Sequence, residues 1–224
     1  MKNVDSWDVY LVTDTALSRG RTNLQIVEAA VDGGISVVQL REKTLSVGDF
    51  ISEAVKIKDF LAQCYIPLII NDSLDVALAV DADGVHLGQT DLSIKIARRK
   101  LGPDKIIGWS VNDLSDLTEE AQDLVDYFAI SPVFFTSTKK DISRPWGTEG
   151  VRAARSVTTA CLVGIGGIGP DNASEVVLAG LNCVAVVSAI VSADDPMAST
   201  MSLVEKVRDA KRAQTKTIIR KVNF

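Results

Sequence analysis

Eight short apolar runs recur along the chain, at 9–12, 37–40, 68–70, 84–87, 106–109, 127–130, 161–165 and 183–187, and each stops at glycine or polar residues. Runs of this length bounded by turn residues read as buried strands. Seven of the eight segments between and after them read as amphipathic helices. Leu24, Val27 and Val31 share one helical face, as do Val47, Ile51, Ala54 and Ile57, and again Leu114, Leu117, Ala121 and Leu124. Start signals agree with this reading. Ser46 with Asp49 forms a capping pair, and Asp195 before Pro196 places an N-cap ahead of a proline at the first helical position. The helix between runs three and four, 75–80, is very short, and the loop from 131 to about 147 is the longest, a candidate lid.

Strand and helix alternating eight times predict a single α/β domain, a (β/α)8 TIM barrel over residues 1–212. A doubly wound open sheet is the competing arrangement. Eight units, with glycine-containing or polar turns after runs seven and eight, favour the barrel, in which active sites lie at the C-terminal ends of the strands. Residues 213–224 form a basic tail with no clear period and are left unassigned.

Composition narrows the functional classes. The 224 residues are 46% hydrophobic and only 5% aromatic, so the core is built from Val, Ile, Leu and Ala. Lys and Arg number 24 against 29 Asp and Glu, a net charge of −5, which argues against a duplex nucleic acid partner. The polar first eight residues carry no secretory signal, and the most apolar stretch, 176–191, is interrupted by Gly180, Asn182 and Ser188. A cytoplasmic protein without a membrane segment is expected, and a homo-oligomer is compatible with it. Cys64, Cys161 and Cys183 lack metal-ligand spacing and are given no catalytic role, and the two in strands, Cys161 and Cys183, are expected as small core residues. The sole histidine, His86, lies inside a strand and is expected to be packed with one nitrogen satisfied.

The chemistry collects just past the strands. Along Gln39-Leu40-Arg41-Glu42-Lys43, strand alternation sends Gln39, Arg41 and Lys43 the same way. An arginine fork beside a lysine suits a di- or triphosphate, although a solvated ion-pair strip with Glu42 reads the same in sequence. Asn71-Asp72 ends strand three and Asp91 follows strand four. Two carboxylates on neighbouring strands suit Mg2+ shared with a substrate phosphate, or else are acids favoured at helix N-termini. A carboxylate ~5 Å from a pyrophosphate would repel each unit of its charge by roughly 3 kcal/mol at an effective dielectric of 20, and a bridging metal reverses that sign. Thr136-Ser137-Thr138-Lys139-Lys140 places three hydroxyls beside two ammonium groups in the long loop, and Gly166-Gly167 and Val187-Ser188 end the last two strands as anion-binding turns or simple tight turns. With one histidine and no activated thiol, imidazole catalysis is not expected.

These motifs, in this order, resemble the thiamine phosphate synthase family over nearly the whole chain. The matching segments are Val38-Gln39-Leu40-Arg41-Glu42-Lys43, Ile70-Asn71-Asp72, Gly84-Val85-His86-Leu87-Gly88-Gln89 with Asp91, Gly108-Trp109-Ser110, Thr136-Ser137-Thr138-Lys139, Ile165-Gly166-Gly167-Ile168 and Val187-Ser188. The resemblance implies a Mg2+-dependent transferase that joins two small-molecule substrates, hydroxymethylpyrimidine pyrophosphate and thiazole phosphate. It implies Arg41, Lys43, Ser110 and Lys139 as catalytic residues and Asp72 and Asp91 as metal ligands. It implies substrate contacts from Gln39, Leu40, Arg41, Glu42, Lys43, Asn71, Ser110, Thr136, Ser137, Thr138, Lys139, Gly167, Val187 and Ser188. Trp109 and Phe135 depart from the family's usual residues. Alternation directs Trp109 away from Ser110, toward the helices. An isomerase related to this family would lack the Arg41/Lys43 and Asp72/Asp91 sets.

Overall fold

The computed structural model describes residues 3–136 and 144–222, with side chains through 216. Eight parallel strands close into a barrel in sequence order: β1 (Val9–Val12), β2 (Val37–Leu40), β3 (Leu68–Asn71), β4 (Gly84–Leu87), β5 (Ile106–Val111), β6 (Tyr127–Ile130), β7 (Cys161–Ile165) and β8 (Cys183–Val186). β8 pairs with β1, with Tyr10 opposite Ala185, so no strand edge is left open. The helices are α1 (Asn23–Asp32), α2 (Val47–Gln63), α3 (Leu74–Ala79), α4 (Ile94–Leu101), α5 (Glu119–Leu124), α6 (Gly147–Val157), α7 (Ala173–Ala179), α8 (Ser188–Val191) and α9 (Pro196–Val222). The barrel reading of the sequence therefore holds.

Alternation along each strand divides the core in two. Val9, Leu11, Val38, Leu40, Leu68 and Ile70 face outward and pack against the helices, while Tyr10, Val12, Val37, Ile69, Tyr127 and Val163 fill the barrel. Trp7, ahead of β1, closes the floor. Its ring meets Tyr10 at 5.7 Å and Tyr127 at 5.6 Å, both edge-on. Cys161 and Cys183 lie buried near this floor, and burial raises both thiols, Cys161 to about 12, so neither is a nucleophile.

Local signals explain the helix starts. The Ser46 hydroxyl accepts the Asp49 amide at 3.2 Å and donates to its carboxylate at 2.7 Å, and Asp195 Oδ1 accepts the Ala198 amide at 3.0 Å. Two expectations need correction. The spacing from Leu114 to Leu124 predicts one helix, yet residues 114–116 form a 3-10 turn, and α5 starts only after Thr118, whose hydroxyl caps the Ala121 amide at 3.2 Å. A side-chain cap redirected the chain where periodicity alone would have continued it. Val47, placed on the buried face of α2, sits 65% exposed in its first turn, before that helix reaches the sheet. At the other end, α9 continues as one helix to Val222, so the unassigned basic segment is helical through that residue. Gln214 Nε2 donates to the Val177 carbonyl at 2.6 Å and ties the start of this segment to α7. Among the described residues no helix is long and apolar enough to cross a membrane.

Candidate active site

The strands end in a cavity of about 720 Å³ that runs from the rim down to Tyr10 and Tyr127. Gln39, Arg41 and Lys43 line it together, as alternation requires. The side chains of the two residues between them do not line it. Leu40 is fully buried against the helices. Glu42 Oε1 accepts hydrogen bonds from Thr15 Oγ1 at 2.8 Å and Asn23 Nδ2 at 2.7 Å, which anchors the chain between its two cationic neighbours.

Each cation already has an anion. Arg41 Nη1 donates to Asp14 Oδ2 at 2.9 Å, and the Arg41 amide donates to Thr13 Oγ1 at 3.0 Å. Asp14 Oδ1 also receives the Leu17 amide at 3.2 Å, so this carboxylate is fixed independently of Arg41. Lys43 Nζ pairs with Asp72 Oδ2. Asp72 stands in the left-handed backbone region at φ 62°, with its amide held by the His86 carbonyl at 2.8 Å. Such a conformation is uncommon for a residue with a side chain and persists where surrounding bonds enforce it.

Asp91 approaches Asp72 closely enough for the two carboxyl groups to interact directly. Burial raises the Asp91 carboxyl above its ordinary value, and the Asp72 charge pushes the same way. The Gly88 amide, 2.7 Å from Oδ2, and Lys43 oppose the rise. Two crowded carboxylates at the cavity wall form a hard oxygen set that fits Mg2+, which takes few protein ligands and completes its shell with water and phosphate. Among the described residues no group of three or more His, Cys, Asp or Glu side chains could hold a metal on its own.

Gly166, Gly167, Ile168, Val187 and Ser188 line the cavity from β7 and β8. Gly167 has φ 66°, and a Cβ there would meet Phe134 Cβ and the Phe135 carbonyl at 2.7 Å, so only glycine fits this turn. Ser188 opens α8 directly after the strand, whereas after Gly167 the chain runs on to Ala173 before α7 starts. Asn71, Ser110 and Thr136 also line the cavity, while Ser137, Thr138 and Lys139 lie outside the described residues. Trp109 faces outward as alternation required, 6.3 Å from Phe128.

Sequence reasoning missed several lining residues. Tyr10 and Tyr127 reach the cavity floor, and Gln89, Thr90 and Asn112 reach its wall. His86 was expected to be packed with one satisfied nitrogen, but it lines the cavity and both nitrogens have partners: Nδ1 is 3.0 Å from Tyr127 Oη and Nε2 2.9 Å from Ser110 Oγ. The available signal was two phenols at inward positions of parallel strands, where a buried hydroxyl needs a partner.

A closed parallel barrel with cations and carboxylates gathered at its mouth defines an enzyme of the (β/α)8 class. Comparison with known proteins specifies which. Residues 9–190 match the family described as thiamine monophosphate synthase. The chain is 52% identical over 195 residues to a thiamine-phosphate synthase of Albidiferax ferrireducens, covering 87% of this chain and 89% of that protein. It is 45% identical over 201 residues to one of Chloroflexus aurantiacus, covering 90% and 93%. Among solved structures it resembles a thiamine phosphate pyrophosphorylase from Pyrococcus furiosus, with a TM-score of 0.85, 32% identity, and coverage of 93% of this chain and 99% of that one. A 3-hexulose-6-phosphate synthase, at 15% identity and a TM-score of 0.66, shares the fold alone. The chain belongs to the thiamine monophosphate synthase family and is a transferase of thiamine biosynthesis.

Proposed function

We propose that this transferase joins 4-amino-2-methyl-5-hydroxymethylpyrimidine pyrophosphate to 4-methyl-5-(2-phosphooxyethyl)thiazole, releasing pyrophosphate and forming thiamine phosphate, with Mg2+. One observation carries the reading. Arg41, Lys43, Asp72 and Asp91 gather at the ends of β2 to β4, while the Gly167 turn and Ser188 stand across the ring at β7 and β8. Two separate polar clusters around one cavity support a reading with two phosphate-bearing substrates.

Arg41 and Lys43 hold the pyrophosphate, exchanging Asp14 and Asp72 for phosphate oxygens as it arrives. Asp72 and Asp91 would hold Mg2+, which when bound supplies charge neutralisation for the leaving pyrophosphate. The bond from the pyrimidine methylene carbon to the pyrophosphate oxygen breaks, and its electron pair leaves with the oxygen. The thiazole nitrogen donates its lone pair to the same carbon. No proton need be removed, which fits a cavity built from cations, carboxylates, amides and hydroxyls. Gln39, Asn71 and Ser110 orient the pyrimidine pyrophosphate, with Lys139 as a further cation. Thr136 and Thr138, with Gly167, Val187 and Ser188, receive the thiazole phosphate, and Ser137 lies beside them in sequence.

The test is pyrophosphate release by purified protein given both substrates, with Mg2+ and with EDTA. Release that needs Mg2+ and both substrates is expected. Release without the thiazole phosphate would identify a hydrolase and overturn the reading, as would no release.

A further inference from the structure

Five side chains form a continuous hydrogen-bonded path across the barrel. Gln39 Nε2 donates to Tyr10 Oη at 2.9 Å, Tyr10 Oη lies 2.9 Å from Tyr127 Oη, Tyr127 Oη lies 3.0 Å from His86 Nδ1, and His86 Nε2 lies 2.9 Å from Ser110 Oγ. The path starts on β2, crosses β1, β6 and β4, and ends on β5. Gln39, Tyr10, Tyr127 and His86 are all at least nine-tenths buried. The imidazole and the Tyr127 ring are stacked, with centroids 5.7 Å apart.

Proton counting gives the path a direction. A phenol has one proton to donate, whereas an amide nitrogen only donates. Tyr10 Oη accepts from Gln39, and its own proton goes to Tyr127 Oη. Tyr127 Oη then spends its proton on His86 Nδ1, which must be the unprotonated ring nitrogen. Nε2 carries the imidazole proton and donates it to Ser110 Oγ. The serine's own proton is left to point into the cavity that Ser110 lines. Reversing the direction either leaves the buried Tyr10 proton without a partner in the path or puts the Gln39 carbonyl oxygen, rather than its nitrogen, against Tyr10. Burial raises both phenols well above their ordinary values, so both keep the protons the path needs.

We propose that Tyr10 and Tyr127 are positioning residues whose polarised relay, oriented by the Gln39 amide, fixes the Nε2–H tautomer of His86 and makes Ser110 a hydrogen-bond donor to the substrate ring. The part concerning the ring rests on the function proposed above. An acceptor on the ring edge, such as an unprotonated pyrimidine nitrogen, meets a proton already aimed at it, and no hydroxyl has to turn during binding. A relay of this kind acts by preorganisation, since its members are ordered before substrate arrives.

The chain has one histidine, so 15N-labelled imidazole reports this residue alone. In the ligand-free protein we expect the pyridine-type resonance at Nδ1 and the pyrrole-type resonance at Nε2. A pyrrole-type Nδ1 overturns the proposal whether or not the protein has the activity proposed above. Gln39→Glu replaces the donor with an acceptor and is expected to exchange the two resonances. If Gln39→Glu leaves the pattern unchanged, the direction is not set by residue 39 and the proposal fails. Should that variant not fold, Tyr127→Phe is read instead: it must move the Nδ1 resonance, and an unmoved resonance refutes the relay. In turnover, Tyr127→Phe is expected to lower kcat/KM about tenfold, the scale of one lost hydrogen bond, and to have no further effect in a Ser110→Ala background. Full additivity of the two would mean Tyr127 acts elsewhere.

Discussion

The Lys43 ammonium pairs with the Asp72 carboxylate and joins the ends of β2 and β3 at the cavity mouth. Both partners are partly exposed, 52% and 32%, so the pair itself adds little to stability. On the function proposed above, the consequence is functional: a phosphate group takes over this cation from the carboxylate.

Lys43→Ala is therefore expected to raise KM for the pyrimidine pyrophosphate about tenfold, the scale of a lost charge-assisted hydrogen bond. Folding should be nearly unaffected. Steady-state kinetics with that substrate varied provides the check, and an unaltered KM would remove Lys43 from the pyrophosphate site.

Asp91 sets a pH dependence. Burial, then the nearby Asp72 charge, raises its carboxyl above the unfolded value. The native state thus binds this proton more tightly than the unfolded chain does. The stabilising contribution is complete below the unfolded value and is lost as pH rises through the folded one. At neutral pH the ligand-free protein carries an unfavourable charge here. Asp91→Asn should raise Tm without metal at neutral pH and lose most of the gain in Tm that Mg2+ gives the parent. Turnover at limiting Mg2+ should fall at least about tenfold. Melting curves with and without Mg2+ test this, and equal Mg2+ responses in both proteins would take Asp91 out of the metal site.

Gly108 makes room for a phenol. A Cβ at this position would stand 2.0 Å from Tyr127 Cζ and 2.2 Å from its hydroxyl. Gly108→Ala is expected to destabilise the barrel by about 1–3 kcal/mol through overpacking and to push Tyr127 away from His86. Urea unfolding measures the first effect, and a wild-type midpoint would show that the ring has room to shift.

Asp8 closes the ring from below. Just before β1, its carboxylate receives Arg208 Nε at 2.7 Å and Lys211 Nζ at 2.9 Å from α9. Asp8→Asn should cost about 1.5–3 kcal/mol, the range for hydrogen bonds to charged groups, and leave KM unchanged because the contact lies at the floor. Denaturant midpoint and substrate KM, taken together, decide this.

Much of the architecture was legible because strand and helix periods are local properties. The eight apolar runs mark all eight strands, and alternation alone separates Gln39, Arg41 and Lys43 from Leu40 and Glu42. Residues 114–124 misled because apolar spacing does not register the hydroxyl cap of Thr118, which restarts the helix.

By itself the sequence determined the barrel, the cations and carboxylates of its rim and, through ordered motifs, the family, since each depends on residues close together in the chain. Tertiary structure decided everything that needed long-range closure. It bound Glu42 to Thr15 and Asn23, and brought Asp91 against Asp72. It also aligned Tyr10 with Tyr127, 117 residues apart. The physical reason is that a hydrogen-bond partner across a barrel is chosen by strand register and ring closure, and neither leaves a periodic trace in the chain.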